Sequence, residues 1–201
     1  MKPADYPHVK ICCISSAREA YLAIKYGASA IGLVGKMPSG PGVISDELIV
    51  EIAAGVPGDI HTFLLTSETT AEGIINHQRK VNTSTIQIVD RIDTEAYRTL
   101  RNKLPAIKLV QVIHVLDENS VTEAAMYAEY ADALLLDSGN PSLAVKQLGG
   151  TGRTHNWELS LKIREVVNVP IYLAGGINPT NVKDAFNFVR PYGIDLCSGV
   201  R

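Results

Sequence analysis

Cysteine is scarce in this sequence: among 201 residues, only Cys12, Cys13 and Cys197 carry a thiol. An odd, sparse set without paired spacing cannot build a disulfide framework, and no Cys/His cluster has the spacing of zinc ligands. The sequence therefore predicts neither a disulfide-stabilised secreted fold nor a zinc site, and we expect no bound metal.

An excess of one charge and long apolar runs are also missing. The 19 Lys and Arg residues nearly balance the 21 Asp and Glu residues, for a net charge of −2. Without a basic cluster, nothing argues for nucleic acid or an anionic membrane as the partner. No apolar run approaches the roughly 20 residues that span a bilayer, and the first residues lack the apolar core of a signal peptide. We expect a cytoplasmic protein with no nucleic-acid partner and no membrane partner.

The residues that are present form a regular alternation of short apolar, β-rich runs with amphipathic helical stretches. Strands are predicted at 8–14, 30–35, 60–65, 84–89, 107–113, 133–137, 169–174 and 194–198. Helices are predicted at 16–26, 45–55, 70–80, 93–102, 118–130, 156–167 and 179–189. Strict alternation implies parallel strands joined by right-handed crossovers. With no linker and no shift in composition, 1–201 is predicted to be one α/β domain.

Two architectures fit this alternation, an open doubly wound sheet and a closed barrel. Eight strands favour closure into a (β/α)₈ TIM barrel, and the Gly-x-Gly-x-x-Gly motif of the commonest nucleotide-binding open sheets does not follow the first strand. The sequence stops directly after the eighth predicted strand, so the eighth helix is apparently missing from the chain. We therefore expect Ile194 and Leu196, on the outer face of that strand, to be uncovered.

In such a barrel, reactive groups lie at the carboxyl ends of the strands and in the loops that follow them. Glycines at the ends of the seventh and eighth strands would let backbone N–H groups approach a phosphate without a Cβ in the way. Tight turns explain each glycine pair taken singly, but their shared position favours phosphate binding. The candidates are Gly175, Gly176, Ser198 and Gly199, with Gly150 and Gly152 as further backbone donors and Arg153 as a side-chain donor.

Two side chains at strand ends could carry acid–base chemistry. Asp137 closes a buried apolar strand, where burial would raise the carboxyl pKa and suit it to general-acid work. Capping of the following turn is the competing role for this carboxylate. Cys12 could be a general base beside a cation, but taken alone it is better explained as a small apolar side chain packed in the core. Alternation along a strand predicts that Cys13 faces the helices instead.

Lys10 and Asp195 are both predicted to point into the barrel, from its first and eighth strands. These strands become neighbours when the barrel closes, so we predict an ion pair between the two side chains.

With these residues identified, the sequence resembles the phosphoribosylanthranilate isomerase family. The matching blocks are Lys10-Ile11-Cys12, residues 26–32, 135–138, 149–154 with Trp157, 173–182 and 190–200. The resemblance implies a TIM barrel that performs an Amadori rearrangement of N-(5-phosphoribosyl)anthranilate to 1-(2-carboxyphenylamino)-1-deoxyribulose 5-phosphate in tryptophan biosynthesis. It implies Asp137 as general acid, Cys12 as general base, the glycine-rich strand ends as the phosphate site, and no cofactor.

Three parts of the family pattern are absent. Cys13 stands where the family usually has glycine after the catalytic cysteine, and Gln87-Ile88-Val89-Asp90 stands where it usually has Gln-Leu-His-Gly after the fourth strand. Where the loop after the second strand usually reads Lys-Ser-Pro-Arg, this chain reads Met37-Pro38-Ser39-Gly40-Pro41-Gly42, so the arginine expected at the anthranilate carboxylate is missing. Lys36 could reach in as a point charge, and Lys10 and Arg153 are further candidates for contact with substrate.

The missing arginine keeps two alternatives open: a related isomerase or epimerase of another phosphosugar, and a non-catalytic barrel that binds a phosphorylated ligand. Retention of both Cys12 and Asp137 argues against the second. The expected partner is a small phosphorylated sugar, and the chain is either a monomer or a homodimer.

Overall fold

A computed structural model of the chain describes residues 7–140, 142, 143, 146, 152 and 154–200. Eight parallel strands pair in chain order and close into a barrel, because β1 pairs with both β2 and β8. The strands are β1 His8–Ile11, β2 Ala30–Val34, β3 His61–Thr66, β4 Thr85–Ile88, β5 Lys108–His114, β6 Ala133–Asp137, β7 Ile171–Leu173 and β8 Gly193–Leu196. The helices are α1 Ala17–Lys25, α2 Asp46–Ala54, α3 Ala71–Val81, α4 Thr94–Lys103, α5 Asn119–Ala128, α6 Trp157–Val166 and α7 Val182–Val189. The predicted (β/α)₈ barrel is confirmed.

After β8 the described residues contain a short 3₁₀ turn, Ser198–Val200, and no eighth α-helix. The longest described helix, α3, has 11 residues, and none of the helices in the described part of the chain could span a membrane.

Most predicted boundaries lie within one or two residues of the observed ones, and two differ for local reasons. The first strand was expected to run to residue 14 but ends at Ile11, because Cys13 adopts a left-handed conformation with φ of 61°. The last helix was expected from residue 179 but begins at Val182. The residues before it form a turn in which the Asn178 backbone N–H donates to Asn181 Oδ1 at 2.9 Å.

Side chains alternate between two layers of core, as parallel strands covered by helices require. On β2, Ala30 and Val34 face the barrel interior, whereas Ile31 and Leu33 pack against the helices. The interior is filled by small and branched side chains together with Phe63 and Tyr172, whose rings meet edge to face at 5.9 Å between centroids.

The predicted ion pair between Lys10 and Asp195 is confirmed at the β1–β8 seam. Lys10 Nζ lies 2.8 Å from Asp195 Oδ1, and the lysine is fully buried. Burial is the largest single effect and lowers the pKa of Lys10, but the charge and hydrogen bond of Asp195, together with the nearby Cys12 and Cys13, raise the net pKa. The ammonium also lies over the Phe63 ring, 5.2 Å from its centroid. The lysine is therefore held as a cation inside the barrel.

The expectation that Ile194 would be uncovered is wrong. Ile194 is only 1% exposed, because it packs in the apolar layer between the strands and helices α6 and α7. Leu196 lies two residues farther along β8, on the same face. It is partly exposed and lines an apolar groove with Leu22, Tyr26 and Val200. The groove is also lined by Val9 and Ile11 of β1, so the outer face of the β1–β8 seam is only partly covered among the described residues.

Breaking the Lys10–Asp195 pair should destabilise the fold strongly. We expect Asp195→Asn to lower the free energy of unfolding by about 3–5 kcal/mol, because the buried ammonium loses its counter-charge. The double variant Lys10→Met/Asp195→Leu should recover most of that loss, since neither buried charge remains. Urea unfolding of the parent, Lys10→Met, Asp195→Leu and the double variant measures this coupling in a closed cycle. Additive effects of the two substitutions would contradict the pair's role.

Candidate active site

A cleft opens at the carboxyl ends of the strands, where the barrel rule places chemistry. It contains about 700 Å³ of empty space, its open mouth included. The candidate acid and base, Asp137 and Cys12, share this one cleft with Gly152, Gly175, Gly176 and Ser198 of the predicted phosphate site, whereas Gly199 is not among its lining residues. Its lining includes Cys12, Cys13, Met37, Ser39, Gly40, Pro41, Gln87, Asp137, Gly152, Gly175, Gly176, Asp195, Cys197 and Ser198.

Cys12 lies directly after β1, and its backbone N–H donates to the Leu196 carbonyl at 2.7 Å. Its thiol and the Lys10 ammonium flank the same glycine on β2. A Cβ on Gly32 would lie 2.9 Å from Cys12 Sγ and 3.1 Å from Lys10 Nζ. A fixed cation this close attracts negative charge on sulfur. The sequence predicted that Cys12 would need a neighbouring cation to act as a general base, and Lys10 supplies that cation.

The prediction that Cys13 faces the helices is wrong. Its side chain lines the cleft, because the left-handed backbone at this residue breaks the alternation of the strand. Cys13 Sγ lies 2.9 Å from Cys197 Sγ and 3.9 Å from Cys12 Sγ. Hydrogen bonding with these two neighbours, together with burial, raises the pKa of the Cys13 thiol. Three sulfurs thus gather at one corner of the cleft.

Asp137 ends β6 with its carboxyl group buried, 8% exposed. Burial raises the pKa of this carboxyl, although the positive end of the Ser138 N–H, His114 and Lys10 partly oppose the effect. The Ser138 N–H donates to Asp137 Oδ1 at 2.7 Å. Both roles considered from the sequence are therefore present together: the carboxylate caps the following turn and has the raised pKa that a general acid requires.

The glycines after β7 form a tight turn that exposes backbone to the cleft. Gly175 and Gly176 have φ of 77° and 64°, a conformation that other residues rarely adopt. The Gly176 carbonyl is held from behind by the side-chain amides of Asn178 and Asn181, at 3.2 and 3.0 Å. Gly152 faces them from the loop after β6, near the Ser198 hydroxyl.

Close packing behind this turn explains why it needs glycine. A Cβ on Gly175 would lie 2.9 Å from His155 Nδ1 and 3.1 Å from the Ser138 backbone N. His155 is neutral, since burial lowers its pKa to about 4, and its Nε2 lies 2.6 Å from Ser160 Oγ. Gly199 packs equally tightly, because a Cβ there would collide with the Ile177 carbonyl. The exits of β7 and β8 therefore lock against each other.

Not every predicted site residue reaches the cleft. Gly150 and Arg153 lie outside the described residues. Lys36 is exposed, and its backbone carbonyl accepts a hydrogen bond from Ser67 Oγ at 2.8 Å. Lys10 stands behind the cleft wall, in contact with Asp195 and beside Cys12, rather than among the lining residues.

One cation at the rim of the cleft was not predicted from the sequence. Lys146, from the loop after β6, forms an ion pair with Asp90, which follows β4. Its backbone carbonyl accepts a hydrogen bond from the Ser39 hydroxyl, so the loops after β2 and β6 touch above the cleft. Lys146 lies outside the predicted strands and helices, so no hydrophobic periodicity indicated where its side chain would point. The available clue was Asp90, a carboxylate that directly follows the strand predicted at 84–89 and therefore belongs to the same rim.

Within the described ranges, no cluster of three or more His, Cys, Asp or Glu side chains is arranged to hold a metal ion.

Comparison with known proteins gives one family. Residues 9–201 match the family described as N-(5'-phosphoribosyl)anthranilate (PRA) isomerase. The N-(5'-phosphoribosyl)anthranilate isomerase of Methanocella arvoryzae is 30% identical, over 96% of this chain and 88% of its own length. The isomerase of Halobacterium salinarum is 33% identical, over 96% of this chain and 86% of its own.

Solved structures agree with the sequence relatives. Phosphoribosylanthranilate isomerase from Thermotoga maritima superposes with a TM-score of 0.82 at 28% identity, covering 98% of this chain and 90% of that one. A phosphoribosylanthranilate isomerase in complex with reduced 1-(o-carboxyphenylamino)-1-deoxyribulose 5-phosphate superposes with a TM-score of 0.80 at 26% identity, covering 98% of this chain and 89% of that one.

The buried carboxyl of Asp137 should weaken the fold at neutral pH. Because its folded-state pKa is raised, the stability it contributes is present below the unfolded pKa of about 3.9 and is lost as pH rises through the folded pKa. Asp137→Asn removes this charge and keeps the oxygen that accepts from Ser138. We expect the variant to be more stable than the parent at pH 7.5, with the difference shrinking towards pH 4 in urea unfolding. A variant less stable at pH 7.5 would show that the carboxylate stabilises the fold.

Proposed function

The chain belongs to the N-(5'-phosphoribosyl)anthranilate isomerase family, and from that membership we propose that Cys12 and Asp137 catalyse the family's Amadori rearrangement in this protein. The single observation that carries the assignment is the shared cleft: a buried acid, a thiol beside a cation and the glycine-rich exits of β7 and β8 line one space. The cytoplasmic location expected from the sequence stays a prediction.

The first step of the proposed reaction is acid-catalysed ring opening. Asp137 in its protonated form donates its proton to the furanose ring oxygen, and the C1–O bond breaks as the anthranilate nitrogen donates its lone pair to C1. A Schiff base at C1 results. This step needs a carboxyl that remains protonated near neutral pH, and the raised pKa of Asp137 supports that role.

The second step is removal of the proton on C2. Cys12 accepts that proton, the electron pair moves to form an enolamine, and tautomerisation gives the ketone of the product. The Lys10 ammonium lies beside Cys12, with both groups packed against Gly32. We propose Lys10 as a positioning residue, because it acts on the substrate through Cys12 rather than by contact. All atoms of the substrate are retained, so no co-substrate is consumed.

We propose that the substrate phosphate is held by Gly150, Gly152, Gly175, Gly176, Ser198 and Gly199. The left-handed glycines after β7 leave backbone N–H groups accessible without a Cβ, which suits a phosphate dianion. The bound phosphate would fix one end of the sugar, and acid and base would then meet it from different strands. Arg153 remains a candidate for a further contact.

The carboxylate of the anthranilate ring needs a cation that the usual arginine does not supply here. We propose two candidates: Lys36, as expected from the sequence, and Lys146. Contact of the Lys146 backbone with Ser39 supports the second, because Ser39 lines the cleft. Its ammonium already faces Asp90, so a substrate carboxylate would share that charge. A related reaction on another phosphosugar is the alternative if neither lysine matters.

Loss of either catalytic group should reduce turnover far more than affinity. We expect Cys12→Ser and Asp137→Asn each to lower kcat by about 10²–10⁴-fold, the usual contribution of a general base or acid. Turnover is measured as loss of fluorescence of phosphoribosylanthranilate, generated in situ from anthranilate and phosphoribosyl pyrophosphate by its transferase. Asp184→Asn, an exposed carboxylate on α7, is the matched control and should retain activity.

Two results of that experiment would overturn the assignment. Near-normal turnover of Cys12→Ser would remove Cys12 from the mechanism. A collapse of inorganic phosphate affinity in Asp137→Asn would make Asp137 a structural residue, because the proposed acid does not touch the phosphate.

The two lysines are separated by their effect on KM. Lys36→Met or Lys146→Met should raise KM, with kcat changed little, for whichever side chain binds the carboxylate, since uniform binding is lost. If Lys146 is that residue, Asp90→Asn should lower KM by releasing the ammonium. Lys103→Met, at the exposed end of α4, is the control. An unchanged KM in both cleft variants would favour a substrate without this carboxylate.

A further inference from the structure

The two thiols that the proposed mechanism does not use meet beside the thiol that it does use. Cys13 Sγ and Cys197 Sγ are 2.9 Å apart, although their residues are separated by 184 positions in the sequence. Cys13 is buried and Cys197 is partly exposed. Both line the cleft, together with Cys12.

Strand register brings these two residues together. β1 and β8 are parallel neighbours with Ile11 opposite Leu196, so Cys12 and Cys13 emerge beside Cys197 and Ser198. Adjacent strands are about 4.8 Å apart, within the range of Cα separations that a disulfide spans. The left-handed backbone of Cys13 then turns its side chain inward, towards Cys197 rather than towards the helices.

The pair also adjoins two segments that line the cleft, the loop after β2 and the turn after β8. Cys13 Sγ lies 3.6 Å from the Pro41 carbonyl, and a Cβ on Gly42 would lie 2.5 Å from Cys13 Cβ. Cys197 directly precedes Ser198, a proposed phosphate contact. A covalent bond between Cys13 and Cys197 would therefore alter the surroundings of Cys12, of the loop after β2 and of the proposed phosphate site.

We propose that Cys13 and Cys197 are a redox-active dithiol, which a small-molecule disulfide converts into an intramolecular disulfide that switches the cleft off. A metal does not explain the pair, because no cluster of three or more His, Cys, Asp or Glu side chains among the described residues is arranged for one. The proposal goes beyond the isomerase reaction and does not depend on which phosphosugar is bound.

The chemistry balances as a two-step thiol–disulfide exchange. The more exposed Cys197 attacks one sulfur of the small disulfide as its thiolate, giving a mixed disulfide and releasing one thiol. Cys13 then gives up its proton and attacks the Cys197 sulfur, releasing the second thiol. The protein loses two protons and two electrons, and the small disulfide gains both.

The bond should change the cleft in two ways. It draws Cys13 Sγ away from the Pro41 carbonyl and fixes the start of the turn that contains Ser198. It also links the first and last strands of the barrel and closes a very long loop of chain, which constrains the unfolded state. We expect loss of turnover and of phosphate affinity, together with a higher unfolding temperature, all reversed by dithiothreitol.

Oxidised glutathione applied to the full chain tests the proposal. We expect two of the three thiols to be lost, a mass lower by two hydrogens, and a peptide linked through Cys13 and Cys197. In Cys13→Ser the mixed disulfide should instead accumulate on Cys197, because the second thiol is absent. In Cys197→Ser glutathione should not attach to the buried Cys13. Activity is compared only between the oxidised and reduced forms of each variant.

Four outcomes would overturn the proposal. All three thiols could remain, the linkage could involve Cys12, or the linked protein could turn over and bind inorganic phosphate as the reduced protein does. Equal loss of activity in Cys197→Ser would assign the sensitivity to Cys12 instead. Thiol counts, masses and phosphate affinity need no substrate, so a failure here is distinguishable from a failure of the isomerase proposal.

Discussion

Closure of the barrel between β1 and β8 is the constraint on which the rest of the structure depends. A buried ion pair marks that seam, with Lys10 Nζ 2.8 Å from Asp195 Oδ1. Such a pair contributes little net stability compared with apolar side chains of the same volume. Any arrangement that leaves one partner buried without the other is strongly destabilised. The seam also fixes the neighbours of Cys12: a cation across Gly32, and Cys197 on the adjoining strand end. The same contact that closes the fold thus sets the electrostatics of the cleft.

A buried charge lowers the free energy of unfolding, and in this cleft the candidate acid, Asp137, carries that cost. The carboxyl of Asp137 is almost fully buried, and burial raises its pKa. An apolar or neutral side chain would suit the end of β6 better as packing, so the carboxyl is best understood through its chemistry. Glycines at positive φ after β7 are a similar concession, because they give up chain rigidity in exchange for accessible backbone.

The chain keeps the residues that the resemblance assigns to the acid, the base and the phosphate site, and it differs in the loop expected to face the aromatic acid. Cys12, Asp137 and the glycine-rich strand ends match the family pattern, whereas Met37–Gly42 carries no arginine. Ser39 in that loop instead bonds to the backbone of Lys146, whose ammonium meets Asp90. Charge at the rim is therefore supplied by a pair from other loops, and a paired cation attracts a carboxylate less strongly than a lone one.

The sequence by itself determined the order of elements, the closed barrel, the facing of Lys10 and Asp195, and the cleft positions of Cys12, Asp137 and the β7 glycines. These follow from periodicity and from the rule that parallel strands end on one side, which depend only on local pattern. Tertiary structure decided the rest. The left-handed backbone at Cys13 reversed its side chain, helices α6 and α7 covered Ile194, and a loop without periodicity brought Lys146 to Asp90. Each of these depends on contacts between segments far apart in the chain, or on a single backbone angle, and a repeating pattern of side chains encodes neither.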